Sequence, residues 1–460
     1  MLERARKARQ VLATPIDGAS LAAFRVLYGA LAAFGAFRFL AYGWIDPFYV
    51  TPQLHFTYWG FGWVQPLGSA GMHAVFAMML AFGIAIALGW FYRFAIVGYV
   101  LLFTYVELID VTNYLNHYYL MSLLGLRMAF MPLGQVYGLD ARRRGNRASV
   151  PRWMLDVLKL QVACVYVYAA IAKLNADWLL DAQPLAIWLA ARSDLPVVGR
   201  WLDEHWVALA MSWGGFLYDL TIVGWLSWRP TRPFAYALVL VFHGAVGVLF
   251  SIGLFPWIMA AATTLYFSPG WPRRVLGPVL ARIESRTSEA QPFALPHVLA
   301  VVLALLALAQ VVVPLRGHLY EGDINWHEQG MRWSWRVLCR EKNGSVTYRV
   351  RTAERQREYY VTPRRYLTSA QEREMSSQPD LILQLAHRIA DDLRARGERG
   401  VEVRVDALAS LNGRPFERLI DPDVDLTTID DGIAPATWIL RRELSARERS
   451  RSRLAQYPTR

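Results

Sequence analysis

Cysteine is almost absent: the chain of 460 residues has two, Cys164 and Cys339. One falls in an apolar run and the other in the C-terminal part, which excludes a disulfide framework and any Cys-rich metal motif. The histidines have no compact metal-binding spacing, so no metal is expected. Charge is scarce as well. Charged residues make up 19% of the chain against 55% hydrophobic, and the mean hydropathy is +0.22. That balance excludes an ordinary soluble globular protein. There is no internal repeat and no low-complexity linker, which excludes solenoids and arrays.

What is present is aromatic and apolar. With 18 Trp and 22 Tyr, the composition suits a polytopic membrane protein with interfacial aromatics. The net charge of +12 suggests nucleic acid only until its distribution is read. The basic residues cluster in short segments between apolar runs, where they set topology, so the lipid bilayer and no nucleic acid is the expected partner. The basic start, Met1 to Gln10, leads into an apolar run too long for a cleaved signal peptide.

A membrane helix needs roughly 20 apolar residues, and by that rule the chain holds about nine spans. They are Ser20–Leu40, Met72–Trp90, Phe94–Ile109, Tyr118–Leu133, Trp153–Lys173, Val207–Trp228, Pro233–Phe250, Leu254–Phe267 and Pro296–Leu315. Arg4, Arg6, Lys7 and Arg9 precede the first span, and Arg93 separates the second from the third. Arg142, Arg143, Arg144, Arg147 and Arg152 then separate four from five, Arg229 and Arg232 six from seven, and Arg273, Arg274, Arg282 and Arg286 eight from nine. All of these loops fall on one face, which is the cytoplasmic one, while the alternate loops lack Lys and Arg or are net acidic. The expected fold is mainly α: a transmembrane helical domain over 1–315, an extracytoplasmic α+β domain over 316–440 and a basic, frayed tail over 441–460. In the second domain Ser345–Arg351, Glu358–Thr362 and Val401–Leu408 alternate like strands, and Leu381–Arg396 has helical period.

On this topology polar residues from separate hairpins meet at the outer face. Lys173 closes span five, Asn116 and His117 sit in the turn between spans three and four, and His243 with Phe250-Ser251-Ile252-Gly253 belongs to the outer part of spans seven and eight. Such an outer lip suits a lipid-soluble reactant meeting a polar one. Taken alone, each residue also has a plain role. A lysine ending a span snorkels or pairs with Asp177, His117 beside Tyr118 and Tyr119 is an interfacial residue, and His243 packs between helices. Arg25, Arg127 and Asp219 lie inside spans, where ionised groups are generally paired, and are expected to be partners of one another.

Tyr105-Val106-Glu107-Leu108-Ile109-Asp110, then Asn116-His117, then Ala172-Lys173-Leu174-Asn175-Ala176-Asp177-Trp178 resemble the membrane core of the vitamin K-dependent γ-glutamyl carboxylases. Gly214-Gly215 with Asp219, His243, Phe250-Ser251-Ile252-Gly253-Leu254-Phe255, Pro269-Gly270-Trp271-Pro272-Arg273, Trp333-Ser334-Trp335 and Ile420-Asp421-Pro422-Asp423-Val424-Asp425 extend the likeness, in order, from about Asp17 to about Asp425. The resemblance implies a bacterial inner-membrane relative with an HTTM-type membrane domain, its N-terminus cytoplasmic.

It also implies a reaction. A lysine amine at the position of Lys173 deprotonates vitamin K hydroquinone (reduced menaquinone or phylloquinone), oxygen adds, and the strong base so formed removes the γ-proton of a glutamate. The carbanion takes up carbon dioxide and the 2,3-epoxide leaves. No side chain removes so weakly acidic a proton at neutral pH, so oxidation of the quinol must amplify the base. The implied catalytic residues are Lys173, His117 and Asn116, the cofactor-binding ones His243, Asn116 and His117, and the substrate-binding ones Trp326, Trp333 and Trp335. Implied partners are a glutamate-containing polypeptide and a quinone-reducing system. Around Trp326-His327-Glu328-Gln329-Gly330 the family carries an apolar side chain where Gly330 aligns. The animal enzymes also continue past the position of Asp425 into a propeptide-recognition region, so a long propeptide exosite is not expected here. A quinol epoxidase with a different or no carboxylation substrate is the alternative. A transporter or scaffold is a third reading, though a transporter places its polar site near the midplane.

Overall fold

The computed structural model describes residues 10–275, 277 and 296–442. Arg4, Arg6, Lys7, Arg9, Arg282, Arg286 and the tail from 443 onward lie outside them. The chain packs into two units, Met1–Pro314 with Arg332–Cys339, and Leu315–Met331 with Arg340–Arg460.

The first unit is helical: α1 (Ala19–Ala41), α2 (Ser69–Leu88), α3 (Tyr92–Ile109), α4 (Asn116–Ala129), α5 (Trp153–Lys173), α6 (His205–Ser227), α7 (Arg232–Leu249), α8 (Phe255–Thr263) and α9 (His297–Val312). A short antiparallel pair, β1 (Pro15–Asp17) with β2 (Ser149–Pro151), ties the approach to α1 to the approach to α5. Helices α1 and α2 touch backbone to backbone: a Cβ on Gly29 would come within 2.4 Å of Ala87 N, and one on Gly83 within 2.6 Å of Ala33 N. With no hydrophobic drive between helices in lipid, such close approach is what holds them together.

The expected count of about nine spans is not confirmed. Among the described residues, seven helices are long and apolar enough to cross a membrane: α1, α2, α3, α5, α6, α7 and the helix that starts with α9. The fourth and eighth segments fold as α4, of 14 residues, and α8, of 9 residues. At 1.5 Å per residue these reach about 21 Å and about 14 Å, short of a hydrocarbon core of roughly 30 Å. Pro132 ends the first of them. In the second, Thr263 and Thr264 turn their hydroxyls back onto the carbonyls of Met259 and Ala261, at 2.9 and 2.6 Å, where the helix tightens into a 3-10 turn.

The intramembrane ions also pair differently from expectation. Arg25 donates to the carbonyls of Leu133, Val136 and Tyr137 at 2.7, 3.1 and 3.3 Å, Arg127 to that of Leu123 at 2.9 Å, and Asp219 accepts from Lys173. The reversal after α4 leaves the carbonyls of Val136 and Tyr137 without helical partners, and the Arg25 guanidinium satisfies them along with that of Leu133, while Arg127 folds back on its own helix.

The second unit contains the small sheet expected from the sequence. Its antiparallel order is β4 (Arg355–Val361), β3 (Lys342–Thr352), β5 (Glu402–Leu411), β6 (Glu417–Arg418). Alternate residues Val346, Tyr348 and Val350 of β3 and Val403, Val405 and Ala407 of β5 are buried. So is the apolar stripe Leu381, Ile382, Leu385, Ile389 and Leu393 of α10 (Pro379–Ala395). Tyr348 donates to Ile382 O at 2.9 Å.

Candidate active site

The local chemistry around Lys173 begins with how α5 stops. Leu174 leaves helical geometry, and Asn175 both donates to Ala172 O at 2.9 Å and, as an N-cap, accepts from Trp178 N at 3.0 Å. The capped turn Ala176–Leu179 then docks on α6, where the Trp178 indole donates to Ser212 O at 2.8 Å. Lys173 is thereby kept from reaching outward. Its Nζ lies 5.0 Å from the centre of the Trp178 ring, 3.3 Å from Ala169 O and 2.8 Å from Asp219 Oδ2 on α6. Both residues are 6% exposed. Asp177, the partner suggested by spacing, is not the one used.

The pair faces a cavity walled by Tyr166, Lys173, Asp219, His243, Phe255 and Leu338 among others. From α7, His243 Nε2 lies 3.0 Å from the Tyr166 hydroxyl, which is 3.4 Å from that of Tyr218. His243 Nδ1 is buried with no hydrogen-bond partner among the described residues. A buried polar atom left unpaired is costly, and this one belongs to a residue on the cavity wall.

Lys173 and His243 are thus brought to one cavity, and His117 is not on its wall. The His117 ring lies 6.1 Å from Phe255, whose other neighbour is His243 at 5.8 Å, so Phe255 stands between the histidines. Asn116 accepts from Tyr114 OH at 3.1 Å, and Tyr114 OH accepts from Trp333 N at 2.9 Å. Trp333 stacks on Tyr58 at 5.4 Å and Trp335, fully buried, on Tyr119 at 4.9 Å. The backbones of Trp333, Trp335 and Leu338 are left-handed, with φ of 62°, 58° and 53°, strain that the packing around them must hold.

Trp326 belongs to the second unit. It is 2% exposed, its indole donates to Leu440 O at 2.8 Å, and its carbonyl accepts from Lys342 Nζ at 2.5 Å. Lys342 and Arg340 both bind Glu328, at 3.0 Å and, for the two guanidinium contacts, 2.5 and 2.8 Å. Burial pushes the Lys342 amine down to about 8, and the Glu328 carboxylate only partly offsets it.

The residues 13–271 match the HTTM domain model. Residues 295–444 match the lumenal domain of vitamin K-dependent gamma-carboxylase. The chain belongs to the vitamin K-dependent γ-glutamyl carboxylase family. No solved structure matches it.

Within this carboxylase-family frame, the one departure near Trp326 has a local cause. Gly330 has φ of 76°, and an added Cβ would fall 2.7 Å from both Gly317 Cα and N. The backbone leaves no room for the apolar side chain that the resemblance places there. Sequence reasoning missed Asp219 as the partner of Lys173 and missed Tyr166 and Phe255. Tyr166 was reachable, since it stands seven residues before Lys173, two helical turns away on the same face. Asp219 follows Gly215 by one turn, and Gly215 also lines the cavity.

Proposed function

We propose that this chain is an integral membrane enzyme that couples oxygenation of vitamin K hydroquinone to its 2,3-epoxide with carboxylation of glutamate side chains by carbon dioxide. The observation that carries the reading is the Lys173–Asp219 pair on the wall of an apolar cavity. When bound, the hydroquinone supplies upon oxygenation the base strength that side chains lack. The residues fit an aromatic diol: apolar and aromatic walls, a hydrogen-bonding lysine, and an unpartnered imidazole nitrogen.

The chain's own groups then take defined roles. The pair exists as ammonium and carboxylate or as amine and carboxylic acid, which differ by one proton moved across 2.8 Å. Only the second form gives Nζ a free lone pair, so Asp219 holds the proton while Lys173 accepts one from a hydroxyl. His243 Nδ1, which lacks a partner, would bond a hydroxyl of the diol, and Tyr166 fixes the imidazole. Phe255 and Leu338 exclude water, which strengthens every one of these interactions. His117 and Asn116 act from behind Phe255, on the side facing Tyr114 and Trp333. Trp333 contributes to binding the polypeptide, Trp335 supports it from its buried seat on Tyr119, and Trp326 holds its own segment within the second unit.

The basic loops between spans support a cytoplasmic N-terminus and an extracytoplasmic C-terminal domain in a bacterial inner membrane. A glutamate-containing exported polypeptide and a quinone-reducing system are the corresponding partners. The test uses purified protein in detergent with vitamin K hydroquinone, oxygen, labelled bicarbonate and a short glutamate peptide, counting epoxide and fixed label separately. Both products support the proposal, and folded protein that forms neither overturns it.

A further inference from the structure

A second cleft lies among α1, α2, α3 and α4, and the carboxylase reading leaves it without a role. Its polar wall is Arg38, Glu107, Tyr49, Tyr99 and Tyr118, and Phe39, Phe76 and Phe103 with smaller apolar residues close the rest. The side chains of these five residues make no hydrogen bond or ion pair with any described residue, and none of their polar atoms is sealed inside the protein without a partner. The Arg38 guanidinium only stacks on Trp44, at 5.0 Å. Ionisable groups within spans are costly and normally paired. Here a guanidinium and a carboxylate open onto the same space without pairing with each other.

Depth and chemistry narrow the ligand. Arg38 and Glu107 are each within one turn of the C-terminal end of their spans, α1 and α3, which is headgroup depth and not the midplane. A carboxylate among tyrosine and phenylalanine faces suits an ammonium, and a planar guanidinium suits a phosphate. An anionic lipid would meet Glu107. A quaternary ammonium has no N–H for Glu107 or the tyrosine oxygens, whereas a primary ammonium has three. The cleft is also distinct from the Lys173 cavity. The His117 ring stands between them, 4.6 Å from the ring of Tyr118 and 6.1 Å from that of Phe255.

We infer that this cleft binds the headgroup of an amine-bearing zwitterionic phospholipid, its ammonium at Glu107 within the aromatic wall and its phosphate at Arg38.

The test exposes full-length protein in detergent to an equimolar mixture of phosphatidylethanolamine, phosphatidylcholine and phosphatidylglycerol, then counts retained lipid by native mass spectrometry. The expected result is preferential retention of phosphatidylethanolamine, reduced about tenfold in Glu107→Gln and in Arg38→Gln, a loss of about 1.4 kcal/mol, and unchanged in the control Arg229→Gln. Equal retention of the three lipids, or retention unaffected in both cleft variants, overturns it. Should those variants fold poorly, amide exchange of wild-type α3 and α4 replaces them. Protection in phosphatidylethanolamine nanodiscs over phosphatidylcholine ones supports the site, and equal exchange overturns it. Protection by soluble glycerophosphoethanolamine in phosphatidylcholine nanodiscs would assign recognition to the headgroup alone, and its failure beside protection by the lipid would add the acyl chains.

Discussion

Lys173 Nζ and Asp219 Oδ2 are 2.8 Å apart, on different spans, and both side chains are buried. A neutral ion pair is tolerable in an apolar surround, but removing one member leaves an uncompensated charge.

Asp219→Asn therefore separates pairing from proton holding. The amide keeps the shape and a hydrogen-bonding oxygen but cannot take the lysine proton. Epoxide formation should fall about 10- to 100-fold, the span of a general acid–base contribution at its lower end, in initial-rate assays on protein shown to be folded. An unchanged rate would reduce Asp219 to a structural partner.

Tyr166→Phe removes the hydroxyl 3.0 Å from His243 Nε2 and leaves the ring packing. The imidazole loses its orientation, so the KM for hydroquinone should rise several-fold with a smaller change in kcat. A change confined to protein stability would contradict the positioning role.

The site was only partly legible in the sequence, for reasons that individual residues make clear. The run Ala172 to Trp178 announces a helix end, a cap and an aromatic anchor, because those depend on local chemistry. The meeting of Lys173 with His243 followed from counting spans, although α4 and α8 are shorter than the roughly 20 residues a span needs. The pairing of Asp219 was not legible. A buried carboxylate says that it has a partner, not which one, and the candidates Arg25 and Arg127 turned out to be held by carbonyls, which look alike in any sequence.

In the second unit, the amine of Lys342 titrates at about 8 against about 10.4 in an unfolded chain. Between those values the unfolded state binds more protons, so stability rises with pH across the window. Below pH 8 the penalty is fully present, at most about 3 kcal/mol. Amide exchange of β3 in the full chain, compared at pH 7.5 and 9.5, should show wild type gaining protection relative to Lys342→Met. A parallel response of both proteins would contradict it.

Gly330→Ala places a methyl against the Gly317 backbone at a left-handed φ. The expected cost is about 1–3 kcal/mol, read as faster exchange in the second unit. Substitution without effect would mean that the Trp326 segment is free to move.

The most direct measurement is hydroquinone epoxidation and label fixation by Lys173→Ala beside wild type, both shown to be inserted and folded. The account predicts that both products disappear together in the variant. Epoxide formed at the wild-type rate without Lys173 would contradict it.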